Sequence, residues 1–161
     1  MVVFLMRHAE AGPGEPDAAR RLTARGRRQS RAAGRGFFGL AAAEVRHIEH
    51  SGLVRARQTA GEAARAAGIP ISRLRVLAGL APEDDPASTA RMLARTRSSR
   101  LLVGHNPHMA ALAALLLGLR AGSVRFRKGA VMALERLPPS GSRSSFGRWR
   151  LVWFAPPSAR A

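Results

Sequence analysis

The sequence predicts an α/β fold: a largely parallel sheet covered by helices on both faces, with an antiparallel edge at the end of the chain. Short apolar runs alternate with helix-patterned stretches over most of the 161 residues. Those stretches start or stop on recognisable capping chemistry. The last two strand-like runs, residues 130–135 and 148–154, have only the polar loop "PPSGSRSSFG" between them, so they pair as a closing hairpin.

Taken in order, residues 2–6 form the first strand, a compact apolar run. Residues 7–21 form a loop rich in Gly and Pro. A helix follows in "LTARGRRQSRAAGRGFFGL", with Thr23 as its N-cap. Residues 45–50 read as the second strand. "SGLVRARQTAGEAARAAGIP" is a turn and then a helix that stops at Gly68, with Pro70 beyond. Residues 74–77 make a short strand. In "APEDDPASTARMLART" a helix starts with Asp85 as N-cap and Pro86 in the first position. Residues 101–103 form a buried strand, and "GHNPHMAALAALLLGL" gives a further helix with Asn106 expected as its N-cap. There is no internal repeat. One domain over residues 1–161 is expected, with a loose tail at 155–161.

Composition narrows the chemistry. The chain has no cysteine, which excludes a thiol nucleophile and every cysteine-based metal site. With ten carboxylates, a two-metal centre is hard to assemble. No signal peptide or bilayer-length apolar run is visible, so a cytoplasmic protein without a membrane partner is expected. The net charge of +17 raises the question of nucleic acid. Only one basic residue is lysine, Lys128; the arginines are scattered, and aromatic side chains for base stacking are few. A basic nucleic-acid-binding domain therefore remains the non-enzymatic rival, and a solvated basic surface that attracts acidic or phosphorylated partners is the preferred reading.

The candidate site residues stand at the carboxyl ends of strands, where open α/β sheets bind ligands. The first strand ends in Arg7-His8, with Glu10 two residues on. The turn after the second leads to Arg55, and the strand at 101–103 ends in Gly104-His105-Asn106. Singly, each has a plain explanation: surface arginines are solvated, and His47 and His50 belong to the core or surface. Together they describe an anion site. Arginine presents a planar fork of donors that matches phosphate. Gly104 allows close approach of the backbone, and a helix N-terminus after Asn106 favours an anion. The i, i+3 pair His105 and His108 has no carboxylate cluster beside it, so no metal is expected.

The motifs "MRHAEAG", "LTARGRRQ", "SGLVRARQTA" and "LLVGHNP", in this order, resemble the histidine phosphatase superfamily, also called phosphoglycerate-mutase-like, and within it the small phosphohistidine phosphatase (SixA-type) branch. The resemblance covers roughly residues 1–135. It implies a three-layer α/β/α sandwich, a phosphohistidine intermediate, and no metal or other cofactor. By position, His8 is the implied nucleophile, Arg7 and Arg55 bind the phosphoryl group, and His105 is the second pocket histidine. The expected activity is hydrolysis of phosphohistidine on a protein or small molecule. A phosphomonoester or sugar-phosphate phosphatase on the same scaffold is the alternative. Three features depart from the family pattern. Ala9 replaces the usual glycine after the histidine, and Gly52 replaces the usual proline after Ser51. The general acid is the third. The only cluster after the third strand is Glu83-Asp84-Asp85; with Asp85 assigned to the cap, Glu83 and Asp84 are the candidate acids.

Overall fold

A computed structural model describes residues 1–38, 44–138 and 145–157. Six strands form one sheet: β1 (Val2–Arg7), β2 (His47–His50), β3 (Leu74–Val76), β4 (Arg100–Gly104), β5 (Val131–Arg136) and β6 (Trp149–Ala155). Their order is β3-β2-β4-β1-β5-β6. The first four in that order are mutually parallel; β5 runs antiparallel to β1, and β6 antiparallel to β5. Four α-helices pack on it: α1 (Ala24–Ala33), α2 (Val54–Ala66), α3 (Pro86–Arg95) and α4 (His108–Leu117).

The period-two alternation of the strands sorts the core into two layers. Val3 and Leu5 of β1, with Leu102 of β4, pack against Leu93 of α3 and Leu112 of α4. Phe4 and Met6, with Leu101 and Val103, pack against the alanine face of α2 (Ala56, Ala60, Ala63). The central strands are buried on both faces, which is why they read as unbroken apolar runs rather than alternating ones. Glu49 is the one carboxylate on β2, and it is fully buried. It is paired by Arg75 at 2.7 Å and Arg100 at 3.0 Å, as a charge in that position requires.

Two of the expected caps are present. The Thr23 side chain accepts from Gly26 N, and Asp85 accepts from Ala87 N and Ser88 N. The expectation that Asn106 caps α4 is corrected. The residue before this helix is Pro107, with no side-chain cap, and the Asn106 amide instead donates 3.1 Å to Phe126 O. Several boundaries also move by a residue or more. The α1 helix ends at Ala33 and continues only as a π-turn over Gly34–Phe38. β2 begins at His47, not at 45, and its hydrogen bonding to β4 sets that limit. The loop after β1 is ordered by a 3-10 turn at Asp17–Ala19 and a bridge between Ala11 and Leu22. The middle of the β5–β6 loop and the tail residues 158–161 lie outside the described residues.

Gly26 shows how closely that loop is held. A side chain there would collide with the Glu10 carbonyl. Glu10 itself accepts from Thr23 Oγ1 at 2.8 Å and pairs with Arg25 at 3.3 Å. Its carboxylate therefore fastens the loop after β1 to the start of α1.

Candidate active site

Register alone brings the site together. Arg7 pairs with Gly104 across β1 and β4, and His50 pairs with Val103 across β2 and β4. The residues that follow each strand, His8, Ser51 and His105, are therefore neighbours at one end of the sheet. The His8 and His105 rings lie 4.8 Å apart between centroids, and both side chains are buried. Arg55 sits in the first turn of α2, directly after the β2 turn, as expected.

His8 is held in one tautomer. Its Nδ1 lies 2.7 Å from Ala9 O, a pure acceptor, so Nδ1 carries the hydrogen and Nε2 keeps its lone pair. Burial, offset in part by that bond and reinforced by the charges of Arg55, Arg7 and Lys128, lowers the His8 pKa from 6.5 to about 4. For His105, burial and then the nearby His8 and Arg55 lower it to about 3, while Asp17 opposes the shift. Both imidazoles are neutral at physiological pH. The backbone is equally constrained: His8 N donates to Gly104 O at 2.9 Å, and Ala9 N donates to Thr59 Oγ1 of α2 at 3.0 Å. Ala9 is fully buried, and the extra methyl relative to glycine is accommodated.

Ser51 and Gly52 explain the second departure. Ser51 Oγ lies 2.7 Å from His105 Nε2, which orients that ring. Gly52 has φ +89°, in the left-handed region that proline cannot enter. It also uses its N–H, which donates 3.0 Å to His50 Nδ1. Proline would supply neither feature.

Arg7 Nη1 donates to Phe126 O at 2.9 Å, and burial lowers the Arg7 pKa from its ordinary value. Arg55 is anchored on a residue that the sequence did not single out: Nη1 donates to Asp17 O at 2.7 Å and Nη2 to Asp17 Oδ2 at 2.8 Å. Among the described residues, five buried side-chain polar atoms have no hydrogen-bond partner. Four of them belong to Arg7, His105, Asn106 and His108, at this end of the sheet. Unpaired buried polar atoms cost about 1–3 kcal/mol each, and their concentration at one place marks a ligand site.

The other candidates fare differently. Gly104 is required by packing: a Cβ there would lie 2.7 Å from Met109 Cε and 3.1 Å from Leu80 O. Asp84 spends its carboxylate on Ala81 N at 2.7 Å, and its carbonyl accepts from His108 Nδ1 at 2.9 Å. Glu83 is exposed. Asp17, not either of these carboxylates, is the acidic group that opposes the lowering of the His105 pKa. His47 and His50 stay outside the cluster, as expected. Among the described residues, no group of three or more His, Asp or Glu is arranged to hold a metal ion. No described helix is long and apolar enough to cross a membrane.

Comparison with known proteins agrees with this geometry. The family model of the histidine phosphatase superfamily (branch 1) matches residues 3–81. A solved structure of the protein histidine phosphatase SixA, complexed with tungstate, is 25% identical, with a TM-score of 0.82 over 98% of this chain and 97% of that one. A SixA-type chain from Agrobacterium tumefaciens is 26% identical, with a TM-score of 0.74 over 97% of each chain. The fold is also that of mycobacterial glucosyl-3-phosphoglycerate phosphatase, 18% identical, with a TM-score of 0.69 over 96% of this chain and 99% of that one. No curated protein matches the chain significantly.

Proposed function

Within the histidine phosphatase superfamily, to which this chain belongs, we propose that it hydrolyses phosphorylated histidine, on a protein or as a small N-phosphate, through a phosphoryl group carried on His8. The observation that carries this reading is the state of His8: buried, neutral, with Nδ1 tied to Ala9 O and Nε2 left as the nucleophilic atom.

His8 Nε2 attacks phosphorus, and the bond to the leaving nitrogen breaks. The charge on the equatorial oxygens is met by Arg7, Arg55 and the edge of His105, all preorganised by bonds to the protein rather than to solvent. For phosphoryl transfer this positioning and electrostatic stabilisation is the main source of rate. Water then cleaves the phosphoryl group from His8. No step in this scheme calls on a metal. The Asp84 carboxylate is committed to Ala81 N and Glu83 is exposed, and that favours a nitrogen leaving group over an alkoxide. An alkoxide, with a pKa near that of water at about 15.7, needs a proton donor, whereas neutral imidazole is a stable leaving group.

The test is a trapped intermediate. Protein quenched during turnover of a phosphohistidine peptide should carry acid-labile, alkali-stable phosphate on His8, and His8→Ala should neither label nor turn over. Label on another residue, or an active His8→Ala, overturns the reading. A rate on phosphoserine peptide equal to that on phosphohistidine favours the phosphomonoester alternative.

A further inference from the structure

We propose that Asp17 acts as an ionised carboxylate that holds the leaving imidazole of a phosphohistidine substrate in its protonated form, and so selects for that substrate. This rests on the function proposed above. Asp17 comes from the loop between β1 and α1, at the start of the 3-10 turn Asp17–Ala19. One carboxylate oxygen and the carbonyl hold Arg55, while the other oxygen pairs with Arg20 Nη1 at 3.0 Å. The Arg55 side chain is 6% exposed and that of Asp17 61%. The carboxylate thus reaches from the buried guanidinium out to the mouth of the site, where a leaving group departs. Among the described residues it is the carboxylate whose charge acts on His105.

The groups facing Asp17 decide its protonation. Arg20 on its own loop and Arg55 on α2 hold its carboxyl below the ordinary range, so it carries no proton to give. The other groups around the histidine pair, Arg7, Arg55 and Lys128, are cationic and disfavour a positive ring. A phosphorylated histidine with both ring nitrogens committed, one to phosphorus and one to hydrogen, is a cation. It leaves as neutral imidazole when the P–N electron pair returns to the ring. Deprotonated at the distal nitrogen, it would have to leave as an anion. A carboxylate at the mouth accepts the distal N–H and keeps the substrate in its reactive form. In this step His8 Nε2 gains the bond to phosphorus, the leaving nitrogen gains the electron pair, and the distal proton stays where it was. No proton is transferred, so no acid is required. An aryl phosphate, whose leaving group needs neither a proton nor a positive ring, gains only the anchoring of Arg55 and nothing from a carboxylate at its leaving group.

The experiment compares Asp17→Asn and Asp17→Glu with wild type on two probes, a chemically phosphorylated histidine peptide and p-nitrophenyl phosphate, across pH. Asparagine keeps an oxygen for Arg55 and loses the charge. The ratio of kcat/KM on the peptide to that on the aryl ester is expected to fall at least 10-fold in Asp17→Asn. The alkaline limb of the peptide profile should move to lower pH, and Asp17→Glu should recover part of both. An equal fall on both probes makes Asp17 an anchor of Arg55 only and overturns the proposal, as does an unmoved alkaline limb. If wild type hydrolyses the aryl ester and not the peptide, the function proposed above fails and takes this inference with it. If wild type hydrolyses both and the ratio does not change in Asp17→Asn, this inference alone fails.

Discussion

Acidification should weaken the fold through the same burial that keeps His8 neutral. His8 is 7% exposed, and its pKa is about 4 in the folded chain against an ordinary 6.5. A histidine lowered in this way contributes stability that is complete above pH 6.5. That stability drains as pH falls toward the folded value, because the unfolded chain takes up a proton that the native site refuses. Between about pH 7 and pH 5 the unfolded chain binds most of one proton at this position and the native protein almost none, which costs roughly 2 kcal/mol. Against a typical 5–15 kcal/mol for a domain this is readily measured. His105, His47 and His50 are lowered as well and steepen the wild-type slope in the same window. The substitution that isolates His8 is therefore His8→Gln. Urea unfolding of both proteins at the two pH values gives a double difference, in which the variant should lose about 2 kcal/mol less than wild type on acidification. The gap should not shrink through His105, since removing the His8 charge makes His105 easier to protonate. A variant that loses as much stability as wild type would show that His8 titrates like a surface histidine, and the neutral nucleophile would lose its physical basis.

Arg55→Lys keeps the charge and gives up the fork that binds Asp17 at two points; kcat/KM should fall roughly 10-fold or more, at about 1.5–3 kcal/mol per charged hydrogen bond, and unchanged steady-state kinetics would return Arg55 to a structural role. Gly52→Pro, which writes the family's usual Ser-Pro into this chain, should destabilise it by roughly 1–3 kcal/mol in thermal unfolding, because it forbids the positive φ and removes the donor to His50. Glu83→Gln and Asp84→Asn should each leave phosphohistidine hydrolysis within about 3-fold of wild type, well short of the 10²–10⁴-fold of a true general acid. Chelator should leave activity unchanged, and restoration of lost activity by a divalent ion would refute the metal-free scheme.

Much of this site could be read from the sequence because its main parts stand at strand ends. Apolar runs stopping at Arg7-His8 and Gly104-His105 placed both histidines on one edge before any register was known, and parallel pairing of β1 with β4 then made them neighbours. Thr23 and Asp85 were legible as caps because their partners lie two or three residues away. Asn106 had the same local signature and a different outcome. A carbonyl 20 residues on, Phe126 O, competes for its amide, and nothing within the motif reports that carbonyl. Asp17 was invisible for a similar reason. It lies in an aperiodic loop, 38 residues from Arg55, and its meaning comes only from closure of that loop over α2. Ser51 was noticed only as part of an unusual Ser-Gly pair; its bond to His105 spans 54 residues.

Lys128 gives the protein a practical handle. It is the single lysine among 27 basic residues, it is exposed, and its charge is felt at His8. Guanidinium groups do not react with the esters and aldehydes that modify amines at moderate pH, so the ε-amine at position 128 is the one side-chain amine where such a reagent can attach. A fluorophore attached at position 128 would stand where its charge state is felt at His8. Binding of the ligand proposed above could then be followed as a change in emission, with no cysteine to introduce and none to remove.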